Sequence, residues 1–157
     1  MKWIKKDLQQ FIQAKEFVDT AIVPLLPFQL SNDASLEKDA FQSEALSVFL
    51  RELEKELTGR VMLAPNYHYV KTADKESELD RIGKWIDDVQ AQPFRHVFFI
   101  TSDSGWKKNE QALPGTMIWL PVTGGESDQG TMQTVIREHV QEVSELIRSY
   151  WKDDSKS

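Results

Sequence analysis

The sequence predicts an α/β fold of three layers, in which a mostly parallel sheet of about four strands has helices packed on both faces. Four short apolar runs recur along the chain, and each stops in a cluster of polar and turn-forming residues. Three of these clusters lead into a segment with the helical period, which is typical of strands that alternate with helices. The apolar runs are residues 22–28, 61–64, 97–100 and 117–122.

Length and composition are those of one domain. The chain has 157 residues, of which 40 % are hydrophobic and 28 % are charged. Single domains commonly have about 100–200 residues and bury a substantial core at that size. No internal repeat or long linker divides the sequence. It therefore predicts a single domain over residues 1–152 and a frayed tail over residues 153–157.

The first helix and the first strand are predicted near the start of the chain. Asp7 and Gln10 resemble a capping box, and the apolar residues that follow predict a helix over about residues 7–18. Residues 22–28 then predict a buried strand. Pro24 and Pro27 have no N–H to donate to a neighbouring strand, which favours a sheet edge or a bulge, and whether this strand is central stays open.

Two well-marked helices follow. An apolar stripe over residues 41–57 predicts a long helix that ends at Gly59, and the second strand comes directly after it. Asp74 is placed to cap the next helix, whose first turn is acidic. The sequence thus predicts the second strand between two helices.

The second half of the chain completes the predicted sheet. Residues 94–100 are apolar enough to predict a central strand that is covered on both faces. The strand over residues 117–122 and a last helix beginning near Thr131 come after it. Alternating strands and helices imply right-handed crossovers, and we expect the strand order 2-1-3-4.

Charge and cysteine content narrow the classes of function. The formal net charge is -6, so binding to a nucleic-acid backbone is not expected. Without cysteine, the chain has no disulfide, thiolate metal site or cysteine nucleophile. No signal-peptide pattern occurs, and no apolar run reaches the roughly 18–20 residues of a membrane helix. We expect a cytoplasmic protein without membrane insertion, cofactor or metal, and its oligomeric state stays open.

Candidate functional residues follow the predicted strands. The carboxyl ends of parallel strands share one edge of the sheet, and ligands bind where the strand order reverses, here between strands one and three. His68 or Asp103 would act there as a general base, and Ser102 or Ser104 as a nucleophile or ligand donor. The residues expected to line a ligand site are Ser31, Asn32, Asn66, Thr101, Trp106, Gly124 and Gly125.

Each candidate also has an ordinary structural explanation. Residues 102–105 have the composition of a turn, and a lone histidine between tyrosines, such as His68, more often packs or forms hydrogen bonds. The glycine-rich residues 123–130 precede a helix, whose N-terminus can bind an anion. They lack the Lys-Ser/Thr ending of a phosphate-binding loop, and Glu126 and Asp128 would repel an anion. A flexible linker explains them better.

Common catalytic motifs are missing from the sequence, which has no Gly-x-Ser-x-Gly elbow and no His-Glu-x-x-His helix. Residues 94–105 resemble the strand and loop of creatininase-type amidohydrolases, in which the loop is rich in Gly and His. The loop has no histidine here, and the metal-binding residues after strand one are missing. The resemblance implies at most a related scaffold without the metal chemistry.

A second resemblance covers nearly the whole chain. Residues 1–4 (MKWI) and 11–27 (FIQAKEFVDTAIVPLLP) are similar to the start of a family of short uncharacterised proteins from Bacillus-type Firmicutes. Residues 98–102 and 119–121 are compatible with that family, which is a domain of unknown function. The resemblance implies a cytoplasmic bacterial protein and supplies no catalytic residues.

Two functions from different classes remain open. The first is a non-catalytic interaction or regulatory domain, in which the aromatic residues Tyr67, Tyr69 and Trp106 contact a protein partner. It is favoured because acid, base, nucleophile and metal ligands do not converge in the sequence. The second is a small-molecule-binding protein or weak hydrolase that uses the crevice at the carboxyl ends of the strands.

Overall fold

The computed structural model describes residues 1–122 and 129–155 of the chain. These residues form four α-helices and five β-strands, which confirms the predicted α/β class. The helices are α1 (Lys5–Gln13), α2 (Asp33–Glu56), α3 (Lys75–Val89) and α4 (Gln129–Ser155), with 3-10 helices at Lys15–Phe17 and Ser104–Ala112. The strands are β1 (Thr20–Phe28), β2 (Val61–Leu63), β3 (Tyr67–Val70), β4 (His96–Thr101) and β5 (Thr116–Trp119).

The five strands form a parallel sheet of order β2-β1-β4-β5, and β3 pairs with β1 beyond the end of β2. The expected order of four strands, 2-1-3-4, is therefore confirmed. The additional strand β3 was not predicted, because its four residues are too few for their alternation of buried and exposed positions to stand out.

Strand β1 lies at the centre of the sheet, which settles the position that its two prolines had left open. The backbone N–H and C=O groups of even-numbered β1 residues point toward β2 and β3, and the Ile22 carbonyl is an example. Those of odd-numbered residues point toward β4. Pro24 faces the gap between β2 and β3, where β1 has no strand partner on that side. Pro27 lies beyond the last residue of β1 that pairs with β4. Neither proline therefore removes a hydrogen bond from the sheet.

Successive side chains of the sheet enter two separate cores. Leu26 and Phe98 belong to the core beneath α2 and α4. Val23 and Phe99 belong to the core beneath α3 and the second 3-10 helix. Helix α1 contributes Phe11 to a third, smaller core. The alternation of period two along buried strands therefore produces the three predicted layers.

Side chains cap the two helices that follow β1 and β3. The Asn32 carboxamide accepts a hydrogen bond from the Ala34 N–H at 3.1 Å at the start of α2. The Asp74 carboxylate accepts one from the Glu76 N–H at 3.3 Å at the start of α3, as predicted. After α2, Gly59 has a φ of 97°, a conformation that favours glycine.

Helix α4 continues to Ser155, past the point at which the sequence predicted a frayed tail. Its last turn is attached to the sheet, because the Asp154 carboxylate bonds to the His96 ring. In the described part of the chain, every helix is too short or too polar to cross a bilayer.

Candidate functional site

Four side chains form a connected polar cluster at the carboxyl edge of the sheet, where β1, β3 and β4 end. The Tyr69 hydroxyl donates to Oδ2 of Asp103 at 2.5 Å, and the Trp106 indole N–H donates to the Tyr69 oxygen at 2.9 Å. Lys75 Nζ lies 3.2 Å from the same carboxylate oxygen. This Tyr69 cluster, named for its central residue, joins β3 and α3 to the segment after β4.

Both carboxylate oxygens of Asp103 already have partners in the Tyr69 cluster or in the neighbouring backbone. Oδ1 of Asp103 accepts from the Gly105 N–H at 2.9 Å, and the Asp103 N–H donates to the Thr101 hydroxyl at 3.1 Å. The side chains of Asp103 and Lys75 are 19 % and 15 % exposed, and both aromatic rings are buried. The cluster therefore faces inward and presents little polar surface to a ligand.

The pKa values of Asp103 and Tyr69 do not suit acid–base catalysis. Burial works to raise the pKa of Asp103, but hydrogen bonds from Tyr69 and Gly105 and the charge of Lys75 outweigh it and hold that pKa below its ordinary value. Burial and the neighbouring carboxylate raise the pKa of Tyr69. A general base works best with a pKa near the working pH, and both pKa values are moved away from neutrality. The arrangement is that of a structural network.

The other tyrosine of β3 is held in a similar way. The Tyr67 hydroxyl donates to Oε2 of Glu78, and the Arg81 guanidinium lies 4.7 Å from the Tyr67 ring centroid. Burial, together with Glu78, raises the pKa of Tyr67. Trp85 meets the same ring edge-on at 5.2 Å between centroids. Helix α3 thus fixes both tyrosines against one face of the sheet.

The predicted catalytic residues do not form one site. His68 lies between the two buried tyrosines, and because side chains alternate along a strand it faces the other side of the sheet, exposed to solvent. Among the described residues, its side chain has no hydrogen bond or ion pair with Asp103. Ser104 is exposed, and Ser102 offers its carbonyl to the Trp119 indole N–H at 3.3 Å. These positions serve as the turn and cap that the alternative explanation expected.

Described side chains fill part of the crevice expected between β1 and β4. The Gln29 carboxamide crosses the loop after β1 and bonds to Asp39 at 3.0 Å and to the backbone of Asn32. The cavity beside it, between Leu26 and Ser102, has a volume of about 10 Å³. A space of that size holds about one water molecule.

The remaining predicted ligand residues are dispersed. Ser31 and Asn66 are exposed on different loops, whereas Thr101 is fully buried at the end of β4. Gly124 and Gly125 lie outside the described residues.

Aromatic residues that were expected to contact a partner are buried instead. Trp106 and Tyr67 are 0 % exposed and Tyr69 is 2 % exposed, so this expectation is wrong for all three. Their polar atoms have partners in the second core, which allows these large rings to turn inward.

Three other apolar side chains are exposed at the carboxyl edge, and we call them the apolar patch. Phe28, Leu30 and Val70 are 47 %, 80 % and 48 % exposed. Phe28 and Val70 are partners in the register of β1 and β3, and Leu30 follows two residues after Phe28. The sequence contained one signal for this patch, since its first apolar run is followed by an isolated leucine before the helical period begins.

The opposite, amino edge of the sheet has a polar cluster of its own. Arg60 donates two hydrogen bonds of 3.0 Å to the Asp19 carboxylate, and its guanidinium lies 4.2 Å from the Trp151 ring centroid. Burial works to raise the pKa of Asp19, but hydrogen bonds, that of Arg60 foremost, hold it below its ordinary value. His96 Nε2 lies 2.5 Å from Oδ2 of Asp154. These contacts attach the end of α4 to the sheet.

Within residues 1–122 and 129–155, no group of three His, Asp or Glu side chains is arranged to hold a metal ion.

The fold and its two edges define a small α/β protein with a parallel sheet, whose polar side chains at the carboxyl edge bond mainly to one another. Residues 9–151 match the model of the family described as a protein of unknown function (DUF2487), and the chain belongs to this family. It is also similar to the uncharacterized protein YpiF of Bacillus subtilis strain 168, with 27 % identity over 151 residues that cover 96 % of this chain and 98 % of that protein.

These matches confirm the resemblance to a Bacillus-type family, and the resemblance to creatininase-type amidohydrolases stays a prediction. No solved structure matches the chain.

Proposed function

We propose that the protein is a cytoplasmic, non-catalytic interaction domain that binds a protein partner through its apolar patch. The observation that carries this proposal is the exposure of Phe28 and Val70 on paired strands, with exposed Leu30 two residues after Phe28. Large apolar side chains are unfavourable in water, and contiguous exposed patches mark interaction sites.

The surroundings of the apolar patch have the composition of an interface. His68 lies two residues before Val70 on the same face of β3 and is exposed, and Ser31 follows Leu30. Protein interfaces combine an apolar centre with a polar rim that supplies hydrogen bonds. Two residues that the sequence indicated as functional, His68 and Ser31, thus become rim contacts for the partner.

The alternative of a small-molecule site or weak hydrolase is not favoured. The cavity that the described residues form between Leu26 and Ser102 has a volume of about 10 Å³, and the carboxylate that a hydrolase would require, Asp103, is paired with Lys75 and Tyr69. A substrate would have to displace these bonds before it reached the carboxylate.

Photo-crosslinking in Bacillus cells tests the proposal. With benzoylphenylalanine at position 30, we expect a discrete protein adduct that is absent when the same group replaces exposed Gln9 on α1. Val70→Asp places a charge in the apolar patch and should abolish the adduct, whereas Thr72→Asp, at a nearby exposed position, should leave it. The absence of an adduct at position 30, or an adduct that Val70→Asp leaves unchanged, would contradict the proposal.

A further inference from the structure

A polar cavity opens at the amino edge of the sheet, away from the apolar patch. Its volume is about 280 Å³, and it lies where the end of α3, the starts of β4 and β5 and the last turns of α4 meet. The polar side chains that line it are those of Gln90, Arg95, His96, Thr116 and Tyr150.

Most of these side chains are not engaged by the protein itself. Among the described residues, the side chains of Gln90, Arg95, Thr116 and Tyr150 have no hydrogen bond or ion pair. The Tyr69 cluster differs in this respect, because its carboxylate, phenol, ammonium and indole groups are bonded to one another. The amino-edge cavity therefore collects donors that remain available to a ligand.

The walls of the cavity are held in place by contacts outside it. The backbone N–H groups of Arg95 and His96 both donate to the Asp19 carbonyl, at 2.8 and 3.1 Å. The Tyr150 ring packs edge-on against Phe98 at 5.2 Å and against His96 at 6.4 Å. The backbone of Arg95 and the ring of Tyr150 are therefore fixed at the cavity, and the Arg95 and Gln90 side chains are exposed to solvent, within reach of a ligand.

Arg95 brings a positive charge to the lining of the cavity. Arg95 contributes a guanidinium that no carboxylate of the described chain neutralises. The Asp19 carboxylate is paired with Arg60, and the Asp154 carboxylate bonds to the ring of His96. Guanidinium, hydroxyl and carboxamide groups together are donors that suit the oxygens of a carboxylate or phosphate.

We propose that the amino-edge cavity binds a small oxyanion, a carboxylate or a phosphate. Arg95 supplies the charged hydrogen bonds, and Thr116, Tyr150 and Gln90 supply neutral ones. The volume of about 280 Å³ lies just below the roughly 300–1,000 Å³ of small-molecule sites, so the ligand is a small metabolite. This site is independent of the proposed function, because it lies at the other edge of the sheet.

Binding there would connect the sheet with the C-terminal helix. Arg95 and Thr116 belong to the sheet side of the cavity, and Tyr150 belongs to α4. An oxyanion that bonds to both sides stabilises the folded state by mass action, since it has no comparable site in the unfolded chain.

Titration of the full chain with inorganic phosphate and, separately, with succinate tests this site, at constant ionic strength with sodium chloride. Amide NMR spectra should show saturable shifts at Arg95, Thr116 and Tyr150 for at least one of the two anions, at concentrations below about 50 mM, because a few hydrogen bonds, one of them from a charged donor, give millimolar affinity. The anion that saturates identifies the ligand as phosphate-like or carboxylate-like.

Matched variants separate a site from general charge effects. Arg95→Gln should weaken binding about tenfold or more, because it removes the charge-assisted bonds. Tyr150→Phe keeps the packed ring and should weaken binding to a smaller extent. Arg51→Gln removes an exposed arginine of α2, far from the lining in sequence, and should leave the affinity unchanged. The proposal is overturned if neither anion gives saturable shifts, or if Arg95→Gln and Arg51→Gln change the affinity equally.

Discussion

The two edges of the sheet hold polar residues in opposite ways. At the carboxyl edge, Asp103 accepts bonds from Tyr69, Gly105 and Lys75, and the apolar patch is exposed at the same edge. At the amino edge, Asp19 and Arg60 pair with each other, yet the adjacent cavity keeps several free donors. The difference shows that position at the carboxyl ends of parallel strands does not make a polar residue available. Whether a polar residue is available to a ligand depends on the hydrogen bonds that it already makes within the protein.

Substitution of Trp106 should produce the largest effect if the carboxyl edge is structural. Trp106→Ala removes a fully buried ring and the hydrogen bond to Tyr69, so we expect a loss of about 3–5 kcal/mol in the free energy of unfolding. Urea denaturation measures it. The matched control is Trp3→Ala, because Trp3 is 65 % exposed and should cost less than about 1 kcal/mol. Equal losses in the two variants would contradict the structural role.

Removal of the carboxylate at the centre of the cluster should come next. Asp103→Ala leaves the Tyr69 hydroxyl and the Lys75 ammonium largely buried without their partner, and we expect a loss of about 3 kcal/mol, because an unpaired buried charge is costly. Ser104→Ala alters an exposed neighbour and should change stability by less than about 0.5 kcal/mol. If Asp103→Ala is as stable as Ser104→Ala, the carboxylate is available for another role.

Local patterns predicted most of the fold, and long-range pairing decided the rest. The apolar run 97–100 identified β4 as a central strand, because burial on both faces is visible in the sequence itself. The central position of β1 was not visible. Pro24 removes no hydrogen bond because it lies opposite the gap between the end of β2 and the start of β3. No local sequence pattern predicts that gap.

The sequence predicted where the candidate site lies, but not which residues bond to one another there or which are buried. Asp103 was correctly placed after a buried strand, but its donor Tyr69 lies 34 residues away in the sequence. The burial of Trp106 could not be predicted either. Its sequence neighbours are typical of a loop, and only the structure shows that its indole N–H donates to Tyr69 in the core. Arg60 and Asp19 form an ion pair for the same long-range reason, because neighbouring strands bring residues 41 apart together.

Acid should weaken the carboxyl edge by a smaller amount than deletion does, because a protonated carboxyl keeps part of its hydrogen bonding. The pKa of Asp103 is lowered in the folded state, so its stabilisation is complete above the unfolded pKa of about 4 and is lost as pH falls through the folded pKa. Urea melts from about pH 6 to about pH 3 should show a shallower loss of stability for Asp103→Asn than for the wild type. Asp87→Asn, an exposed change on α3, should keep the wild-type slope, and the same slope in both variants would contradict the prediction.

The smallest effect is expected at the amino edge. Arg60→Lys keeps the positive charge but loses the two-point contact with Asp19 and the planar stacking on Trp151. Because the Arg60 side chain is 39 % exposed, water compensates part of this loss, and we expect about 1 kcal/mol in urea denaturation.

Arg51→Lys, on the exposed surface of α2, is the matched control and should change stability by less than about 0.5 kcal/mol. Hydrogen exchange should also rise in the last turns of α4 in Arg60→Lys and stay unchanged in Arg51→Lys, because Trp151 is one of the contacts that hold this helix against the sheet. A loss in Arg60→Lys as large as that in Asp103→Ala would mean that the amino edge is as rigidly bonded as the carboxyl edge. The contrast between a carboxyl edge whose polar side chains are bonded within the protein and an amino edge with unbonded donors would then not hold.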